Sequence, residues 1–238
     1  MFAKLRTLVA LRQACLQSRT AETNRIKSLA RRMVGWSPNA EPLKRKAFCE
    51  LATTVANAAR KGGAVPTEHE AAVFALMPFG AMTEERVGAL NAYIRELEKA
   101  IAALVEPLPI WTEWGAHVRG LGVPTVGTLL AESGDPGNYP KKGHLWKRFG
   151  LHVNGDGGAA KATKGEKLGF SPYRKSLAIV AAQNLIRAGN EEYRALYDAR
   201  RAVTAERYPD WTKGHSHNDA QRLVAKGLLR SLWKAWRA

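Results

Sequence analysis

The sequence has 238 residues, 45% of them hydrophobic, enough apolar material to fill a core of ordinary size, which excludes a disordered tail. Lys and Arg number 37 against 21 acidic residues, a formal charge of +16 that points to a polyanionic partner, nucleic acid before an anionic membrane surface. Only Cys15 and Cys49 are present, both inside helical patterns, so the sequence offers neither a disulfide framework nor a cysteine-based metal site.

The N-terminal FAKLRTLVALRQACL has its apolar run broken by Arg6 and Arg12, and no window approaches the roughly 18 uncharged apolar residues of a membrane span. A cytoplasmic, nucleoid-associated protein without membrane contact is expected; a basic, acid-poor start is also the composition of an organellar transit peptide. From residue 3 to 34, Leu5, Leu8, Val9, Cys15, Leu16, Ile26, Leu29 and Met33 recur at helical spacing, with Arg19, Arg25, Lys27, Arg31 and Arg32 on other faces. This predicts a long amphipathic helix stopped near Gly35. Residues 42 to 60 predict a second helix, ended by Lys61-Gly62-Gly63. A third opens at Thr67, with Glu70 completing a capping box, and ends before Pro78.

A fourth helix is predicted from Thr83 as N-cap, with Glu84 and Glu85 placed where the helix dipole favours carboxylates. Val87, Leu90, Ile94, Leu97, Ile101 and Leu104 then form a heptad seam, β-branched residues at one core position and leucines at the other. That arrangement favours two parallel strands and predicts a homodimer. The alternative is a helix packed on its own chain, against residues 3 to 34.

The positive charge leans to the rear: +6 over residues 1 to 107 and +10 over 108 to 238. There, RGLGVPTVGTLLAESGD reads as a helix-hairpin-helix, in which Gly120 and Gly122 permit a turn closed to other residues and Pro124 suits a first helical turn. Exposed amides at the second helix's start, helped by its dipole, can bind phosphate without reading base sequence. The predicted DNA contacts are Arg119, Gly120, Leu121, Gly122, Val123, Thr125 and Val126, then Lys141, Lys142, Lys147 and Arg148. An ordinary turn with glycine at a C-cap is the plainer reading. Residues 154 to 169 follow, with five glycines and the lysines Lys161, Lys164 and Lys167, a flexible cationic segment that could close over a phosphate backbone. It has no GK[ST] sequence for nucleotide hydrolysis. Arg174 and Lys175 extend the predicted contacts.

In the last helix Ala220, Leu223, Val224, Leu228, Leu232 and Trp236 make an apolar face, and Arg222, Lys226, Arg230, Lys234 and Arg237 a basic stripe that either meets DNA or is solvated. Trp233 and Trp236 are read as core anchors. His215 and His217 alternate as metal ligands can, but no third ligand stands at suitable spacing, and a helix start near Ser216 or Asn218 is expected.

Base-excision glycosylases that carry such a hairpin place a lysine just past it or an aspartate further on, often with four cysteines; these residues lack that set. GLGVPTVGTLLAESGDPGNYP instead resembles the hairpin block of the insertion-sequence transposases of the four-acid (DEDD) type, which join a resolvase-like nuclease domain to a coiled coil and a C-terminal serine transposase domain. LWKRFGLHV, GEKLGFSPYRKSLAIVAAQNLI and HSHNDAQRLVAKGLLRSLWKAW resemble the segments that follow in that family. QSRTAETNRIKSLARRMVG is similar, more loosely, to its coiled-coil linker. Two departures limit what this implies. No aspartate precedes Asp135, so the four-acid nuclease set has no counterpart, and magnesium would enter only with a nuclease acting in trans; no other cofactor is evident. Asp135, Asp156, Asp198, Asp210 and Asp219 are read as caps at turns and helix ends. The family's serine lies in a loop that here reads NGDGGAAKATKG, with Thr163 its only hydroxyl. Ser171 and Ser176 follow, beside cations able to stabilise an alkoxide, although the plainer role of Ser171 is to start a turn or cap a helix.

The expectation is therefore an all-α protein: a helical, coiled-coil front half over residues 1–107, and a helix-hairpin-helix domain over 108–238 that binds DNA in recombination, as a dimer bridging two segments. In parts of that family a structured RNA guides the reaction, which implies RNA as a second partner. The competing readings are an active serine-dependent transposase with a nuclease partner in trans, and a non-catalytic structural protein of a mobile element or phage.

Overall fold

The computed structural model describes residues 1–155, 157–160, 165 and 169–238. Among them the fold is all-α, and extended pairing is confined to a single bridge between Val153 and Ala159. The chain forms two compact units, Ala10–Glu98, and Met1–Val9 with Lys99–Ala238. The boundary expected at 107 falls inside the larger unit, because Leu5 and Val9 share a core with Ile101 and Val105.

The amphipathic patterns of the front half become α1 (Phe2–Met33), α2 (Pro42–Lys61) and α3 (Glu70–Val105), the smaller unit holding α2 and the parts of α1 and α3 within Ala10–Glu98. The first two stop where glycine takes a positive φ, 76° at Gly35 and 77° at Gly62. Ile26 and Ala30 of α1, with Val34 just past its end, meet Ala52, Val55, Ala56 and Ala59 of α2 and Leu76 of α3 in one core. Arg60, nearly enclosed, donates two hydrogen bonds to Glu84.

Two helices were expected where α3 is one. Pro78 lies within it, and Thr83, expected as an N-cap, is buried and donates to the Phe79 carbonyl at 2.8 Å. Thr67 and Glu70 make no capping box; residues 67–69 form a short 3-10 turn whose preceding residue supplies no side-chain cap. The stripe explains the continuity. Leu76, Gly80, Thr83, Val87, Ile94, Leu97, Ile101 and Val105 are all buried at spacings of three, four and seven, straight through the proline. Proline removes one amide and frees the Phe74 carbonyl, but both residues are on the exposed side, where solvent can take that acceptor.

The seam residues do not form a free dimer face. Val87, Ile94, Leu97 and Ile101 are buried in the single chain, with Leu90 and Leu104 partly covered. Within the smaller unit α1 runs antiparallel to α3: Arg12 pairs with Glu98, Arg19 donates to Asn91 Oδ1 at 3.0 Å, and Arg86 reaches Glu22. The packing alternative, a helix laid on residues 3 to 34, describes this geometry. Arg19, assigned to an outer face, instead reaches across to α3.

In the larger unit the hairpin helix is α4 (Val123–Ser133), followed by α5 (Lys142–Arg148), α6 (Pro172–Arg187), α7 (Glu191–Arg207) and α8 (Lys213–Ala235). α8 contacts α5, α6 and α7, with Ala220, Val224, Ala225, Leu228, Leu229 and Leu232 fully enclosed. Trp233 Nε1 donates to the Tyr139 carbonyl at 2.8 Å, and the Trp236 ring sits 5.7 Å from that of Phe2, so both anchor the core. α8 starts earlier than expected: Thr212 caps it by accepting the His215 amide, and Ser216 is instead buried against the Thr204 hydroxyl. α4 crosses the end of α3 so closely that a Cβ on Gly127 would lie 2.6 Å from Ile101 Cγ2.

Candidate nucleic-acid interface

The hairpin is built from a wide turn at Ile110–Trp114, a 3-10 turn at Gly115–His117, and α4. Gly120 takes φ 91°, a region closed to most side chains, and a Cβ there would also lie 2.7 Å from Ala188 Cβ and 3.0 Å from the Asn184 carbonyl oxygen. Asn190 Nδ2 donates to the Arg119 carbonyl at 3.2 Å. The turn is thereby fixed on the junction between α6 and α7.

Only part of the expected phosphate cup faces outward. Leu121 and Val126 are core residues, and the amides of Thr125 and Val126 both bond the Gly122 carbonyl, at 2.9 and 3.1 Å. The amides of Gly122 and Val123 have no hydrogen-bond partner among the described residues. Gly122 and Arg119 are exposed and Val123 half-buried, so these two donors at the start of α4 can receive an anion.

The predicted cations collect elsewhere. Leu145 and Phe149 anchor α5 in the core and leave Lys141, Lys142, Lys147 and Arg148 exposed on its outer side. Trp146 donates from Nε1 to the Lys226 carbonyl at 3.0 Å, and two ammonium groups lie near its ring, Lys142 at 5.6 Å and Lys226 at 5.3 Å from the centroid. His152 follows, edge-on to Phe170, with Nδ1 buried and unpartnered. Its pKa lies below the ordinary value, first through loss of water, then through Lys147, Lys175, Lys226 and Arg222, all of which disfavour its charged form. Burial likewise lowers the pKa of Lys226, which Arg222 lowers further, and of Arg222, which Asp219 partly restores.

Beside this group a shallow cavity of about 510 Å³ is lined by Tyr139, His144, Lys147, Arg148, Ser171 and Arg174, among others. Arg174 Nε donates to Glu132 Oε2 at 2.8 Å and Arg148 Nε to the Glu132 carbonyl at 3.2 Å, which ties the rim to the C-terminal end of α4. Burial raises the Tyr139 pKa against the pull of Arg148 and Arg174, and its hydroxyl donates to the Ser133 carbonyl at 2.6 Å. α4 and α6 are antiparallel here, Gly120 beside Ala188 and Glu132 beside Arg174. The hairpin amides and the cationic group therefore stand at opposite ends of α4, an 11-residue helix of roughly 16 Å.

The hydroxyl candidates separate as well. Ser171 is the N-cap of α6, accepting the Arg174 amide at 3.4 Å, and Ser176 is exposed within that helix. Thr163, Lys161, Lys164, Lys167 and Asp156 lie outside the described residues. Lys175 donates to the Ala160 carbonyl at 2.7 Å, with its ammonium over the Phe170 ring. Asp135 caps the turn after α4 through the Gly137 amide, as expected. Asp198 and Asp219 are not caps: they lie within α7 and α8 and pair with Arg194 and Arg200.

The basic stripe of α8 is divided. Arg222 and Lys226 turn inward toward the cationic group, while Arg230 and Lys234 are exposed and Arg237 donates to the Tyr139 carbonyl at 2.9 Å. His217 bonds Tyr197 through Nδ1 and Gln221 through Nε2, both at 2.6 Å, which fixes the α7–α8 contact. Among the described residues no three His, Cys, Asp or Glu side chains are grouped to hold a metal, and no helix is long and apolar enough to cross a membrane. Compared with family models, curated proteins and solved structures, the chain matches none.

Proposed function

We propose that the chain binds nucleic acid through its sugar-phosphate backbone, and that the cationic face of α5, the 151–153 segment and the inward side of α8 is the principal contact. The observation that carries this is the exposed outer side of α5, where Lys141, Lys142, Lys147 and Arg148 face outward and none makes an ion pair with a described residue. Lys226 stands beside them over the Trp146 ring, while the described carboxylates of Glu132 and Asp219 are already engaged by Arg174 and Arg200. Cations gathered on one face repel one another, and a polyanion relieves that repulsion on binding. Phosphate contacts of this kind position a duplex without reading its sequence.

The open amides of Gly122 and Val123 supply a second, weaker contact some 16 Å away by the length of α4. Two contacts so spaced can touch phosphates on one backbone or on both edges of a groove. The resemblance to insertion-sequence transposases narrows the reading to DNA handled during recombination. Ser171, engaged as a helix cap, has no part in the proposal.

Fluorescence anisotropy with duplex DNA, branched DNA and structured RNA tests the reading. Affinity in the micromolar range or tighter for at least one of them at moderate salt is expected, falling steeply as salt rises. Val123→Pro removes one open amide at a position where a helix tolerates proline, and should weaken binding several-fold with the helix intact. Absence of binding to all three would end the proposal.

A further inference from the structure

A larger cavity, of about 710 Å³, lies between the 157–159 segment, α6, the end of α7 and the turn after it, and the first half of α8. One wall is aromatic. Tyr208 and Trp211 stack with ring centroids 4.4 Å apart and planes within 11°, Arg207 lies 5.6 Å over the Tyr208 ring, and His215 meets Trp211 edge-on. Trp211 is 39% exposed, a large apolar ring left facing water beside a cavity.

The opposite wall is polar and unfinished. The Asn218 carboxamide, one acceptor and two donors, makes no hydrogen bond among the described residues. Arg222 Nε is shut off from solvent, yet has no partner among the described residues. A buried N–H left unmade is costly, and for a guanidinium the partner that relieves it best is a phosphate or carboxylate oxygen. Asp219 is near enough to favour the charged form of Arg222, but its carboxylate accepts from Arg200 and makes no hydrogen bond to that Nε.

We infer that this cavity takes one unpaired nucleotide of a bound strand, its base laid on the Tyr208–Trp211 wall, its edge met by Asn218 and its phosphate by Arg222. The exposed Trp211 ring, backed by Tyr208, a carboxamide without a described partner and a guanidinium with an unpartnered Nε match the three parts of a nucleotide in kind. The position matches too: Arg222 and Lys175 line the cavity and also act on His152, so a strand that follows the cationic face arrives at the cavity mouth. A base held in a blunt duplex cannot enter without being unstacked, so the cavity selects single-stranded ends, branch points or extruded bases. The inference rests on the backbone-binding reading and adds the substrate class.

The test compares a blunt duplex with the same duplex bearing a six-nucleotide single-stranded tail that carries 2-aminopurine, prepared as DNA and as RNA. The tailed form should bind roughly tenfold tighter than the blunt one, with 2-aminopurine quenched by stacking. Trp211→Leu and Asn218→Ala should abolish the preference and the quenching while blunt-duplex affinity stays unchanged, which also certifies their fold. Quenching in the DNA arm, the RNA arm or both supports the inference and identifies the sugar. Equal binding of blunt and tailed forms without quenching in either arm overturns it and leaves the backbone reading intact. Failure of every form to bind overturns both.

Discussion

Gly127 is the point at which α4 is held on the end of α3, and its replacement by alanine gives a prediction whose sign is diagnostic. In an open mid-helix position the change stabilises by about 1 kcal/mol through backbone entropy. At Gly127 the new methyl would stand 2.6 Å from Ile101 Cγ2 and 3.2 Å from Val105 Cγ2, both on fully enclosed side chains that cannot swing away. Overpacking of this kind costs about 1–3 kcal/mol, so the net effect is a loss of about 1 kcal/mol, a fall of roughly 2–4 °C in Tm for a chain of this size. Gly88, within α3 and with nothing within 4 Å of its added methyl, is the matched control and should gain by a similar amount. Thermal melts followed by circular dichroism measure both. A Gly127→Ala chain that melts at or above the wild type would show that α4 and α3 are not in this contact, and the hairpin and the rim residue Glu132 would lose their placement.

The other predictions concern the seam, the helix cap and the imidazole. Ile94→Ala should cost about 2–4 kcal/mol, and Tm should not change over a tenfold range of protein concentration, because the seam is filled by the chain itself; a concentration-dependent Tm would restore the dimer. Ser171→Ala should lower stability by about 1 kcal/mol by removing the α6 cap, with affinity for nucleic acid preserved within twofold; a larger drop in affinity would give the hydroxyl a direct role. His152, with its pKa below the ordinary 6.5, binds fewer protons folded than unfolded, so its contribution to stability falls as pH drops through about 6.5 and is constant well above it. A bound polyanion offsets these cations and raises that pKa, so binding takes up a proton on the acid side of the ordinary imidazole range; calorimetry in buffers of different ionisation enthalpy should detect it, and His152→Gln should remove it.

Much of the fold was legible in the sequence because it depends on local chemistry. The ends of α1 and α2 follow from glycines that adopt positive φ, and the buried faces of α1, α3 and α8 follow from helical spacing. Pro78 and Thr83 mislead because capping preferences say nothing of the apolar stripe that runs past them; burial at Leu76 and Val87 outweighs one missing amide. The heptad pattern reveals that a partner helix exists but not whose, since an antiparallel helix of the same chain satisfies the same seam.

The proposed interface is legible in part. Lys147, Arg148 and Arg174 stand together as their spacing suggests, whereas the hairpin is joined to them only by nearness in sequence, and α4 keeps them apart. Arg222 and Lys226 read as members of one stripe; they are partly buried, Lys226 beneath Trp146 of α5, a contact that spacing within one helix cannot report. Tyr208, Trp211 and Asn218 carry no motif, because their juxtaposition arises from the turn between α7 and α8.

The salt dependence of duplex affinity in wild type and in Lys147→Gln/Arg148→Gln tests the central claim most directly. If these side chains touch phosphates, the double variant should flatten the slope of log K against log salt by roughly 1.8, about 0.9 for each phosphate no longer neutralised, and weaken binding alike on unrelated sequences. An unchanged slope with unchanged affinity would contradict a phosphate-binding role for the cationic face.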